Sequence, residues 1–163
     1  MSTARILGVS LSILGLAACN AFRQQGAVEL STGDAALNSR WHANLASPAS
    51  LAGIVQMNGS ASMAPAPGGS GTIVTLDLAN ASPGGVHPWE ARVGECGTEY
   101  DGGLFGVAAA YEPLEVGSDG QARASATVQL QTPESGRYFV VVHASEVNSR
   151  TVVACGNLAA PTR

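Results

Sequence analysis

From residue 41 onward the chain consists of short alternating runs, most of them closed by glycine or proline. The clearest run covers residues 72–81. Val74, Leu76 and Leu78 fall on one side of it, and Ile73, Thr75 and Asp77 on the other. A period of two puts successive side chains on opposite faces, so this pattern predicts a strand with one buried face. Trp41, Ala43 and Leu45 alternate with His42 and Asn44 in the same way, which leaves His42 exposed. Further extended segments are expected over 53–63, 86–95, 122–130, 138–143 and 151–155, with Leu114 and Val116 in a shorter one. Pro88 lacks an N–H and reduces the first part of its strand to an edge or a bulge. The runs Ala64-Pro65-Ala66-Pro67-Gly68-Gly69, Ser82-Pro83-Gly84-Gly85 and Ser118-Asp119-Gly120 read as turns. Many short strands with turn signals between them predict an all-β sandwich or barrel. The segment 97–110 is glycine-rich and irregular. No internal repeat and no second domain is visible, so one β-domain is expected over 39–160.

Charge narrows the function. The chain has 163 residues, a net charge of -4 and only 12% charged residues. Nucleic-acid binding wants a basic patch or stripe, and none is present, so nucleic acid is not an expected partner. Phosphate-loop, dinucleotide and Ser-His-Asp patterns are absent from the sequence. Glu95, Glu99 and Asp101 lie near the glycines of 97–103 but do not supply a full calcium loop.

The N-terminus points to export. Arg5 is followed by an uncharged apolar run over 6–18 that ends in small residues. This is a secretory signal, and it is short for a membrane span. Leu16-Ala17-Ala18-Cys19 resembles the lipobox of bacterial lipoproteins, in which the cysteine is lipidated and becomes the new N-terminus. The alternative is an ordinary signal peptide with Cys19 incidental. The resemblance implies residues 1–18 as signal, Cys19 as the lipidation site and 19–38 as a tether. Asn20 follows the cysteine, and by the same resemblance a residue other than Asp suits the outer membrane, facing periplasm or surface. Acyl chains contribute about 0.8 kcal/mol per buried CH₂, enough for a multiply acylated cysteine to hold a membrane. Setting Cys19 aside leaves Cys96 and Cys155. In an exported protein one disulfide is the simplest reading, with two buried thiols as the alternative.

Three segments together are similar to copper/zinc superoxide dismutase. The first is Gly85-Val86-His87-Pro88-Trp89-Glu90-Ala91-Arg92-Val93-Gly94-Glu95-Cys96, against a family pattern of roughly H-G-F-H-x-H-E-x-G-x-C. The second is 114–126, with Asp119-Gly120 in a turn. The third is Val140-Val141-Val142-His143 followed by Ala154-Cys155-Gly156-Asn157-Leu158. The resemblance implies a Greek-key β-sandwich or barrel and a Cys96–Cys155 disulfide that fixes a long loop to it.

The departures fall on the metal ligands. The family holds copper with four histidines. Glu90 and Arg92 stand at the H-x-H pair, the loop 97–110 has no histidine, and only His143 keeps a ligand position. His87 falls on a family histidine that is not a copper ligand. The zinc histidines would lie in the same loop. The family's guiding arginine would fall near Val152, two residues from Arg150. Arg92 stays protonated and cannot ligate a metal. Glu90 and Arg92 share a strand face at i and i+2, so a charge pair is expected, either on the solvated surface or in the electrostatic place of the missing copper.

The expected function is therefore a non-catalytic, lipid-anchored envelope module with no bound cofactor. Its partners are the membrane, through its lipid, and an envelope protein or small ligand that the sequence does not name. Three alternatives remain: a divergent copper protein with residual superoxide dismutase activity, a periplasmic metal carrier holding copper or zinc on His143, His87 and Glu90, or an interaction module recognised through the loop 97–110.

Overall fold

The structure is a computed structural model that describes residues 40–54, 56–97 and 102–162. Cys19, the signal segment, the tether to residue 38, Glu99 and Asp101 lie outside these residues. The described residues form nine strands: β1 (Trp41–Ala46), β2 (Asn58–Pro65), β3 (Thr72–Ala79), β4 (Val86–His87), β5 (Trp89–Val93), β6 (Leu114–Glu115), β7 (Ala122–Val128), β8 (Tyr138–His143) and β9 (Val152–Leu158). Among the described residues there is no α-helix, only two single-turn 3₁₀ segments. The fold is all-β, a curled antiparallel sheet with one disulfide.

Seven strands share the sheet in the order β5-β8-β9-β1-β2-β3-β7, and β4 pairs with β6 in a separate ribbon. β1, β2 and β3 form a meander, with Trp41 opposite Met63 and Met63 opposite Val74. β9 then returns from the far end of the chain to lie beside β1. Its regular pairing there is Ala46 with Cys155, and His42 and Ala159 exchange two backbone hydrogen bonds of 3.1 and 2.8 Å. This junction is tight. A methyl group at Gly156 would overlap the Asn44 carbonyl, so the corner needs a residue without a side chain.

Alternation determines the core. Trp41, Met63, Val74, Leu76, Val140 and Val142 point inward from four strands and are fully buried. Trp41 keeps its polar end satisfied by donating from Nε1 to the Pro133 carbonyl at 3.0 Å. Its ring meets Tyr138 edge-on at 5.4 Å. β8 is buried on both faces, which explains its unbroken Phe139-Val140-Val141-Val142 run. Its second face packs Phe139 and Val141 against Cys155, with Cys96 and Val152 alongside.

The elements depart from expectation mainly at their ends. The segment 53–63 becomes strand only from Asn58. Ser47 explains the delay, because its hydroxyl donates to the Val153 carbonyl at 2.8 Å and accepts from the Met57 N–H at 3.0 Å. Those bonds close the intervening residues into a loop. β7 stops at Val128, and β9 runs on to Leu158 rather than ending at Cys155. Pro88 divides the expected 86–95 strand into β4 and β5.

Candidate functional site

The residues singled out in the sequence meet where β5 runs beside β8. Trp89 and Ala91 point into the core, so Glu90 and Arg92 share the opposite face of β5. Arg92 Nη1 donates to Glu90 Oε1 at 2.6 Å, and Nη2 donates to the Gly102 carbonyl at 2.8 Å. His143 ends β8, with its Nε2 at 3.8 Å from the same Glu90 oxygen. Both side chains of the pair are partly buried. The Arg92 and Glu90 side chains retain only 19% and 23% of their exposure, and His143 9%.

The electrostatics of the cluster follow from this enclosure. The His143 imidazole, followed by Arg92, holds the Glu90 carboxyl below its ordinary 4.5, against the opposing effect of burial. Glu90 is therefore an anion at neutral pH, and Arg92 a permanent cation beside it. Tyr111 lies close by and is pushed up to about 12, by burial first and also by the Glu90 charge. Its hydroxyl donates to the Phe105 carbonyl at 2.6 Å, and its ring meets Trp89 edge-on at 5.1 Å.

His87 does not join this group through its ring edge. Its Nδ1 lies 3.0 Å from the backbone carbonyl of His143. A carbonyl only accepts, so Nδ1 is the donor in this contact. Nε2 is buried, has no hydrogen-bond partner among the described residues, and packs against Gly85, where a methyl group would stand only 2.9 Å away. His87 thus ties β4 to the end of β8 through main chain. His42 is exposed on β1, and Arg150 is exposed in the turn before β9.

The described residues of this cluster do not make up a copper or zinc ligand set. Among the described residues no three His, Cys, Asp or Glu side chains converge on one point. Glu90 and His143 do lie together, but a guanidinium is bound to the same carboxylate oxygen. Two unit charges about 4 Å apart interact by about 4 kcal/mol at an effective dielectric of about 20, and a dication doubles that repulsion. A metal approaching Glu90 and His143 would meet this repulsion from Arg92.

Sequence reasoning missed the segment that completes the cluster. Residues 102–105 run back along β5, with Val93 N–H donating to Gly103 at 3.0 Å and Phe105 N–H donating to Ala91 at 2.9 Å. The signal was Gly102: a methyl group there would overlap the Val93 carbonyl, so only glycine allows this approach. The other end of the same loop is held by the Cys96–Cys155 disulfide, with Cα atoms 6.0 Å apart, and by Cys96 N–H donating to Asn157 Oδ1 at 2.7 Å. Glu95 pairs with Arg137 at 3.2 Å on the surface. An open depression of about 480 Å³ between β2, β3 and β7 is lined by Ser60, Asp77, Gln121 and Arg123, at the opposite end of the strand order from β5 and β8. Comparison with protein-family models and with curated proteins returns no match.

Proposed function

We propose that this chain is a lipid-anchored protein of the bacterial cell envelope whose β-domain is a superoxide-dismutase-like Greek key without a catalytic metal. It serves there as a binding or structural module. The observation that carries this reading is the Arg92 guanidinium, held between Glu90 and the Gly102 carbonyl beside His143. These are the positions at which the resemblance places copper ligands, and a permanent cation stands among them. The strand order supports the Greek-key assignment, since β9 returns to lie beside the first strand of the β1-β2-β3 meander. The disulfide supports it as well, because it fixes the loop after β5 to β9, as the resemblance implies. The lipobox-like Leu16-Ala17-Ala18-Cys19 supports the anchor.

A second reading, a weak copper or zinc carrier, draws on the Glu90–His143 approach of 3.8 Å. Superoxide turnover tests the first reading. The full chain, loaded with copper and zinc and freed of loose metal, is expected to match the metal-free blank. Turnover that disappears in His143→Ala would overturn it.

A further inference from the structure

We propose that Arg92 is a built-in cation that takes over the fastening role a bound metal has in a metalloprotein, tying the segment 102–105 to β5. This goes beyond the anchored-module reading and stands independently of the family resemblance, because it rests on contacts within the chain alone.

The loop that leaves β5 is anchored at both ends by different chemistry. Its first residues are held covalently, through Cys96 to Cys155 on β9. Its last residues are held by backbone pairing with Ala91 and Val93, and by the guanidinium on the Gly102 carbonyl. A guanidinium has rigidly placed donors and no acceptor, so it can hold a carboxylate and a carbonyl at once. Arg92 does this, with Nη1 on Glu90 and Nη2 on Gly102. Glu90 belongs to β5 itself, so the carboxylate fixes the direction of the guanidinium and the carbonyl is what it captures. A metal ion bridging oxygen donors from a strand and a loop would make the same link. The close approach required of Gly102 leaves its carbonyl within reach and leaves no room for a side chain in between. The pair is partly buried, so removing the guanidinium leaves Glu90 with His143 as its charge partner and releases the loop.

Hydrogen exchange on the full chain tests this. In Arg92→Met the amides of Val93 and Phe105 are expected to exchange at least tenfold faster, while Val74 and Leu76 in β3 keep their wild-type rates. Arg92→Lys keeps the charge but has no planar fork, and it is expected to fall between the two. Unchanged exchange at Val93 and Phe105 in Arg92→Met would overturn the proposal. Should that variant fail to fold, the wild type still decides. Its Arg92 Nη protons are expected to appear as separate, slowly averaging nitrogen-correlated signals at neutral pH, unlike those of the exposed Arg40. Rapid averaging like that of Arg40 would refute the link.

Discussion

The Cys96–Cys155 bridge gives a prediction with a calculable size. The two cysteines are 59 residues apart in sequence. Closing a loop of that length removes about 14 cal/mol/K from the unfolded chain, or about 4 kcal/mol at 25 °C. In a domain of this size each kcal/mol moves the melting temperature by roughly 4 °C, so reduction should lower it by about 15 °C. The experiment compares wild type with and without a reductant by circular dichroism, alongside the Cys96→Ser/Cys155→Ser double variant. The variant should melt below the reduced protein by about 4–12 °C. Position 155 is only 9% exposed, and a serine hydroxyl there would sit among Phe139, Val141 and Val152 at a cost of about 1–3 kcal/mol. The folded state should survive reduction, because Asn157 still accepts from the Cys96 N–H and residues 102–105 still pair with β5. Coincident melting of oxidised and reduced protein would refute the reasoning, since the crosslink would then constrain nothing in the unfolded chain.

Other expectations follow from single residues. Trp41→Ala should cost about 3–5 kcal/mol in urea unfolding and Trp41→Phe about 1–2, because the phenyl ring fills much of the space but leaves the Pro133 carbonyl without its donor. Equal losses in the two variants would contradict that division. Tyr111 favours its protonated form in the fold, so its contribution is complete below pH 10 and is lost as pH rises from 10 towards about 12. Tyr111→Phe should flatten that alkaline loss, and an unchanged slope would show that another group causes it. Cys19→Ser should release the protein from membranes into the soluble envelope fraction, and retention with the membrane would argue against lipidation.

The sequence was most legible where one face of a strand is buried. In β3 the alternation is legible residue by residue, and Val74, Leu76 and Leu78 are buried together with Thr72. β1 followed the same rule, with His42 outside and Trp41 inside. Pro88 marked the break between β4 and β5 because a missing N–H is a local property. Ends set by distant partners were not legible. The start of β2 depends on Ser47 reaching Val153, 106 residues away. The return of 102–105 along β5 left only a glycine as its trace. Strand periodicity placed Glu90 and Arg92 on one face, but their enclosure depends on that unseen segment and on His143 arriving from β8. His87 illustrates the same limit. Its residue type invited a metal, whereas its nearest polar partner is a backbone carbonyl 56 residues away in sequence.

Metal stoichiometry tests the proposed metal-free reading of the Glu90–Arg92–His143 cluster most directly. The full chain, purified in mild detergent, would be saturated with copper and zinc, dialysed against a weak chelator and assayed by elemental analysis. Far less than one metal per chain is expected, with no change in His143→Ala. About one tightly held copper per chain, lost in His143→Ala, would contradict it and place the metal on the Glu90–His143 side of the cluster.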